Sequence, residues 1–370
     1  MKRGFLRVVG FSLCALPGVA MAQTTPSAAP VTGARSVTIG AQLFYDFTMN
    51  SAPKTKDADG NTIATNAFSV TRAAVDVAGR VSDRVSFRIT PDITRDTSTS
   101  SSSNGSLNFR LQYAYAQVDL TKPSDRWKDT FLRLGIQQTP LIGFEEDVYR
   151  YRFQGTVFAE REGALTLSDA GVSFHAGFPS DYGDLHVGVY NGEGAFKAEP
   201  NNQKSLQVRG TVRPIAASTG AAHGLRLTGF FDSDHYLPNA ARRRLATSVT
   251  FEHSHFNFGA DYLKINDRTS VNASQIDGQG WSVFLTPFLH EKGNGLEGLL
   301  RVDRFTPNQN LSGRQRQRTI AGIAYWFPHS DPGTAAALLL DYEELKFSGF
   351  PATPANATQQ RIGVHGLIQF

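Results

Sequence analysis

Hydrophobic and polar residues alternate with a period of two along much of this chain. Between Ser36 and Asn50 the odd positions are apolar and the even positions mostly polar, and only Phe44 breaks the alternation. Because successive side chains of a strand point to opposite faces, this pattern predicts a β-strand with one apolar and one polar face. A run of about fifteen residues exceeds the usual soluble strand of about five or six and suits a tilted membrane strand.

The C-terminal segment shows the same alternation. One face carries Ile362, Val364, Gly366, Ile368 and Phe370. Arg361 and His365 lie on the other face, which we expect to stand beside Asp46 of the first strand.

Further alternating runs lie near residues 66–79, 84–94, 106–120, 130–139, 169–178, 184–191, 204–214, 223–233, 243–253, 255–265, 277–289, 295–304, 317–327 and 335–346. With the two ends they make about sixteen strands, an even number as single-chain bacterial barrels require. The pattern therefore predicts an all-β fold, a transmembrane antiparallel β-barrel of about sixteen strands.

The connections favour the same fold. In a barrel with both termini in the periplasm, long outer loops alternate with short inner turns. Long polar stretches follow odd-numbered strands, at 51–65, 95–105, 140–168, 192–203, 266–276, 305–316 and 347–358. The connections after even-numbered strands are mostly shorter, although 121–129 is not. A soluble β-sandwich would also alternate, but its strands are shorter and its loops need not follow this rule.

The N-terminus predicts export. Lys2, Arg3 and Arg7 precede an apolar run from Val8 to Ala20, and the following small residues indicate a cleaved signal peptide at 1–22. We expect a short linker at 23–35 and the outer-membrane barrel at 36–370. The only cysteine, Cys14, leaves with the signal, and the basic residues fall from 37 to 34 against 33 acids. This balance does not favour a nucleic-acid partner.

Arginines recur on the polar faces of the predicted strands. By alternation the lumen receives Arg88, Arg110, Arg133, Arg209, Arg213, Arg226, Arg301 and Arg361. The acids on the same faces are Asp46, Asp92, Asp261, Glu297, Asp303 and Asp341. Two interpretations stay open: a basic track that draws anions through a pore, or cross-pore ion pairs and solvated wall residues.

The longest connection, 140–168, follows the fifth strand and mixes apolar with charged residues. Its charged candidates are Glu145, Glu146, Asp147, Arg150 and Arg152. A loop this long is usually functional or disordered. We expect it to fold into the lumen as a constriction, where acids facing arginines create a transverse field; the alternative is a loop on the outer surface.

Other chemistry is weakly represented. The sequence has no G-x-S-x-G, phosphate-binding glycine loop or H-E-x-x-H motif, so it predicts no catalytic residue, metal or cofactor. Ser248 and His253 fall on opposite faces, which disfavours a barrel hydrolase. The run Arg242–Arg244 is a solvated charge run or a site for lipopolysaccharide phosphates. Trp326 and Phe370 are expected at the inner aromatic girdle.

Several segments resemble the phosphate-selective porin O and P family. They are FSVTRAAVDVAG (68–79), LGIQQTPL (134–141), DAGVSFHAG (169–177), YNGEG (190–194) and RVDRF (301–305). In the first segment, a phase slip near Thr71 and Arg72 indicates a β-bulge. The resemblance implies a sixteen-stranded trimeric barrel that passes small anions. Gln138 and Leu141 stand where the family pattern has Lys and Phe, which weakens the case for strict phosphate selectivity.

The sequence therefore predicts an outer-membrane porin, a passive channel for small hydrophilic solutes with a weak anion preference of the phosphate type. The alternatives are a lipase-like barrel enzyme and a plugged structural or adhesive barrel. Expected partners are outer-membrane lipid and lipopolysaccharide, a homotrimer of the chain, and the barrel-assembly machinery, which recognises strands that end on an aromatic residue such as Phe370.

Overall fold

The computed structural model describes residues 36–96, 102–122, 125–216, 220–329, 331 and 333–370. The strands are β1 (Val37–Lys56), β2 (Thr62–Arg80), β3 (Val85–Arg95), β4 (Leu107–Asp119), β5 (Lys128–Gln138), β6 (Ser168–Gly177), β7 (Gly183–Tyr190), β8 (Ser205–Val212), β9 (Leu225–Leu237), β10 (Ala240–Glu252), β11 (Phe256–Asp267), β12 (Ile276–Pro287), β13 (Gly295–Thr306), β14 (Gln315–Trp326), β15 (Ala335–Ser348) and β16 (Gln359–Gln369). The helices are α1 (Pro140–Tyr149), α2 (Phe158–Arg161) and three short 3-10 turns, Pro179–Asp181, Ala221–Gly224 and Pro354–Asn356.

Each strand pairs antiparallel with its neighbours in sequence, and β1 pairs with β16 to close the sheet. The closed barrel confirms the predicted fold class. Within the described residues no helix is both long and apolar enough to cross a membrane. The predicted signal peptide and linker, 1–22 and 23–35, lie outside the described residues.

The predicted bulge in β2 is present. The register between β1 and β2 shifts at Phe44 and Tyr45, which face Arg72 and Val70, so Thr71 is the extra residue. The bulge reverses which face receives the later residues of β2.

Two connections differ from the prediction. The stretch 51–65 is mostly a hairpin of β1 and β2, because Asp57 accepts hydrogen bonds from the backbone N–H groups of Asp59 and Asn61 and closes a tight turn. The connection between β8 and β9 spans 213–224 and is longer than the other even-numbered connections.

The two faces of the wall differ in burial. On β13, Leu296 and Leu300 are exposed, whereas Arg301 and Asp303 on the alternate face are buried. The inner face is not uniformly polar, however, because it also buries Leu263, Leu299, Ile320 and Leu339. Trp326 belongs to this inner apolar set and is 4% exposed, so its assignment to the girdle was wrong.

A histidine bridges the seam where the barrel closes. His365 on β16 lies opposite Asp46 on β1, as predicted, and its Nδ1 bonds to that carboxylate. Its Nε2 lies 3.0 Å from Asp341 on β15. Because both ring nitrogens face carboxylate acceptors, both donate, and the imidazolium ties three strands together.

Replacing His365 by Ala should lower barrel stability by about 3 kcal/mol, because two buried carboxylates would lose their shared cation. The measurement is the temperature at which the folded band is lost on unheated gels. His255→Ala, at the exposed turn between β10 and β11, is the matched control. Equal transition temperatures for both variants and the parent chain would contradict the role of the seam.

Candidate functional site

The segment 139–167 between β5 and β6 is folded and anchored at its base. The backbone N–H of Thr139 donates to the Leu167 carbonyl at 2.9 Å, and its hydroxyl donates to the Thr166 carbonyl at 2.6 Å. Pro140 begins α1, where its missing N–H costs no helical hydrogen bond. Arg150 ends α1 with φ 64°, a left-handed conformation that turns the chain sharply.

This segment contacts the buried face of the wall on several strands. Asn257 on β11 donates to the Val148 carbonyl at 3.0 Å, and Arg301 on β13 donates to the Thr156 carbonyl at 2.9 Å. Further hydrogen bonds join Tyr151 to Glu297 on β13, Gln154 to Asp341 and Glu343 on β15, and Arg244 on β10 to the Ala164 carbonyl. The segment is therefore held along its whole length.

Aromatic packing adds to these hydrogen bonds. Phe153 packs against Phe44 and Trp326, with ring centroids 6.3 and 5.9 Å apart. Tyr149 meets Phe284 at 5.1 Å, edge to face. Aromatic pairs each add about 0.5–1.5 kcal/mol beyond area burial. The apolar inner residues of the wall thus match an apolar loop.

The charged loop residues form two groups. Arg152 bridges Glu146 at 3.0 Å and Glu160 at 2.6 Å. Arg150 contacts the barrel wall instead, with its guanidinium 3.3 Å from the Glu297 carboxylate and 4.4 Å from the centroid of the Trp326 ring. Arg152 thus stays beside the two loop acids, whereas Arg150 anchors the loop to the wall.

Burial dominates the environment of the acids on α1. It raises the pKa of Glu145 well above its usual range, and the nearby Asp261 adds to the effect. Burial also raises the pKa of Glu146, although Arg152 opposes that shift. Asp147 is half-buried on the same helix.

Three predicted arginines lie on adjacent strands β3, β4 and β5. Arg88 pairs with Asp76 at 2.6 Å. Arg110 lies 3.7 Å from the Phe196 ring centroid, and Arg133 lies between Tyr115 and Phe131, 4.4 Å from each. Among the residues that the structure describes, neither Arg110 nor Arg133 forms an ion pair with a carboxylate.

The other five predicted arginines are bound to acids. The pairs are Arg209 with Asp184, Arg213 with Asp181, Arg226 with Glu252, Arg301 with Asp303 and Arg361 with Glu343. Arg213 lies one residue beyond β8. Arg301 is 2% exposed and bound to the loop at Thr156.

Arg72 was missed by the alternation because the bulge at Thr71 reverses its face. It pairs with Asp92 at 3.1 Å and donates to Gln42 at 2.8 Å. The phase slip was visible in the sequence and could have placed Arg72 on the inner face.

The run Arg242–Arg244 is not one solvated patch. Arg244 is buried and pairs with Asp267, and Arg242 approaches Asp234 at 3.5 Å. Arg243 faces outward and is exposed. In the described part of the chain, no group of three or more His, Cys, Asp or Glu residues could hold a metal.

A cavity of about 220 Å³ lies between β1–β4 and α1. Its polar lining includes Gln42, Arg72, Asp76, Arg88, Gln138 and Glu146. Paired arginines thus line the wall side and Glu146 the loop side.

Several solved structures share this fold. The anion-selective porin from Comamonas acidovorans is 11% identical, with a TM-score of 0.58 over 91% of this chain and 100% of that one. The outer membrane channel DcaP of Acinetobacter baumannii is 13% identical, with a TM-score of 0.54 over 91% and 97%. OmpT, an outer membrane protein of Vibrio cholerae, is 13% identical, with a TM-score of 0.58 over 93% and 100%.

No curated protein sequence matches the chain significantly. The sequence model of the family described as phosphate-selective porin O and P matches residues 37–250. That match covers more than half of a closed sixteen-stranded barrel, so the chain belongs to the phosphate-selective porin O and P family and is an outer-membrane porin channel.

Proposed function

We propose that the chain is a passive channel for small hydrophilic solutes with a weak preference for anions. The observation that carries this proposal is the cavity between β1–β4 and α1, which has Arg72, Arg88 and Asp76 on the wall side and Glu146 on the loop side. A polar space bounded by fixed charges selects solutes by charge and size.

The anion preference rests on a column of arginines on β2–β5, which comprises Arg72, Arg88, Arg110 and Arg133. Cross-strand register connects these arginines. Arg110 lies opposite Asp92, and Asp92 pairs with Arg72. Arg88 lies opposite Tyr115, and Arg133 lies opposite Gln117, which is two residues from Tyr115 on β4. Arg72 and Arg88 are neutralised by their acids, so the excess positive charge comes from Arg110 and Arg133. Because acids neutralise two of the four arginines in the column, the remaining charge supports a weak preference for anions.

The segment 140–168 acts as the constriction and lies in the lumen. Its contacts with β10, β11, β13 and β15 support this role, because only a segment crossing the interior could reach the inner faces of so many strands. Glu146 opposes Arg72 across the remaining space, which orients dipolar solutes. Gln138 supplies no cation there, so we expect phosphate and chloride to pass with similar ease.

The chain reaches the outer membrane through the signal peptide 1–22, followed by the linker 23–35 and the barrel 36–370. We expect β16, which ends next to Phe370, to engage the barrel-assembly machinery, and the barrels to form a homotrimer surrounded by lipid and lipopolysaccharide. We expect no enzyme activity, because Ser248 is bound to Asp261 on the inner face while His253 follows β10 at an exposed turn.

The second candidate is a plugged structural barrel, which the dense packing of Tyr151, Phe153 and Phe158 favours. Conductance in planar bilayers separates the two functions. Ohmic steps with a reversal potential on the anion side in a KCl gradient are expected for the channel. No conductance from correctly folded protein would favour the plug, and lipid or ester turnover in detergent would favour an enzyme.

Replacing Arg110 and Arg133 by Gln should lower the chloride-to-potassium permeability ratio by about fivefold. Each charge ~8 Å from a passing ion is worth ~0.5 kcal/mol in water, salt near 0.1 M roughly halves this value, and each charge favours chloride while opposing potassium. The reversal potential in a KCl gradient measures this ratio. Arg213→Gln, which changes an arginine paired with Asp181 beyond β8, is the control. An unchanged ratio in the double variant would place the selectivity filter elsewhere.

Selectivity should also depend on pH through Glu146. Because burial raises the pKa of Glu146, its charge is lost on acidification before that of an ordinary glutamate. The chloride preference should therefore rise as the pH falls toward and below that raised pKa, and Glu146→Gln should show the higher preference at neutral pH. Glu199→Gln, in the loop after β7, is the control; a pH step that persists in Glu146→Gln would contradict the assignment.

A further inference from the structure

Basic residues occupy outward positions near one end of β10–β15. They are Arg243, Lys264, Arg304 and Lys346, and all are exposed. Each shares its face with exposed apolar residues of the same strand, for example Leu245 with Arg243 and Leu300 with Arg304. These cations therefore lie on the lipid-facing side of the wall and not in the lumen.

Strand register links these cations across neighbouring strands, with Arg304 of β13 opposite Trp281 of β12. Lys264 lies opposite Gln279, and Arg304 lies opposite Gln317, which in turn lies opposite Lys346. Arg243 lies opposite Asn266, two residues from Lys264 on the same face. We call Arg243, Lys264, Arg304 and Lys346 the basic row.

Aromatic residues mark the height of this row. Tyr262 and Trp281 lie opposite each other and are 40% and 39% exposed. Tyr262 is two residues inward from Lys264 on the same strand, and Trp281 lies opposite Arg304. Exposed Tyr and Trp on the outer face of a barrel sit at the boundary between hydrocarbon and headgroups, so the basic row lies at headgroup height.

The row carries a nearly uncompensated positive charge. Lys346 pairs with Glu344 at 2.6 Å. Within the described residues, Arg243, Lys264 and Arg304 have no carboxylate partner, and Arg304 donates only to Gln315 at 2.6 Å.

Near the same end on the other side of the barrel, outward positions of β2 and β4 carry Phe68 and Phe109, which are 84% and 75% exposed.

We propose that the basic row is a docking surface for the phosphate groups of phosphorylated glycolipid in the outer leaflet. This inference rests on the proposed orientation, in which the long connections face outward, and it does not depend on what the channel passes. Guanidinium and ammonium groups bind phosphate through charge-assisted hydrogen bonds, and the glutamines between them add neutral donors. The apolar residues below the row contact the acyl chains of the same lipid.

The test compares lipid binding by the full-length mature parent protein and its variants in detergent. Native mass spectrometry measures the bound lipid. The probes are lipid A, an acylated glucosamine disaccharide bearing two phosphates, and the same lipid after enzymatic removal of its phosphates. The row variant is Arg243→Gln, Lys264→Gln, Arg304→Gln and Lys346→Gln. The control variant removes four other basic residues, Lys54→Gln, Lys56→Gln, Lys197→Gln and Lys204→Gln.

Lipid A should bind the row variant more weakly than the parent chain by on the order of tenfold or more, because each basic residue near an anionic surface contributes to the free energy of binding. The control variant should bind as the parent does, and lipid without phosphates should bind all three proteins equally weakly. Equal binding of lipid A to the row variant and the parent would overturn the proposal. A change in oligomeric mass in the row variant would also overturn it, because the row would then face a second copy of the chain. Unchanged conductance of the row variant would show that its barrel is folded. If the parent chain carried no current, the proposed channel function would be refuted, but the lipid-binding result would still test the basic row.

Discussion

The whole structure depends on the need to pair every backbone N–H and C=O group where no water is present. In hydrocarbon an unpaired group costs several kcal/mol, so an open sheet edge cannot remain. Pairing of β1 with β16 removes both edges at once. The seam is reinforced by His365, whose two ring nitrogens face carboxylates on β1 and β15.

Closure creates an interior that sixteen strands make too wide for wall side chains to fill. One side of the wall turns apolar residues such as Leu299 and Leu339 inward, and these are buried against the segment between β5 and β6. Polar and charged contacts then fix this segment in position, as with Arg301 and the Thr156 carbonyl. Filling one side leaves the polar cavity along β1–β4, where Arg72 and Arg88 face Glu146.

Much of this fold is predictable from sequence because period-two alternation is a local property. Most strand bounds agree with the structure to within a few residues, for instance 295–304 against Gly295–Thr306, although β1 continues to Lys56. The alternation gave wrong assignments where the inner face is apolar and where a bulge breaks the period of two. Trp326 was expected at the inner aromatic girdle because the lumen was taken to be polar, and Arg72 was overlooked because one bulge residue reverses the faces. The partners of the loop, such as Asp341 for Gln154, are far apart in sequence and leave no local pattern.

The anchoring of the loop also constrains the order in which the barrel can form. Tyr151 and Gln154 lie between β5 and β6, yet their partners come later in the chain. Tyr151 packs on Trp326 of β14 and donates to Glu297 of β13, and Gln154 donates to Asp341 of β15. A partly assembled sheet that ends before β13 therefore leaves Tyr151 and Phe153 without the surface that buries them. The loop can therefore make all of these contacts only with a sheet that already contains β13, β14 and β15.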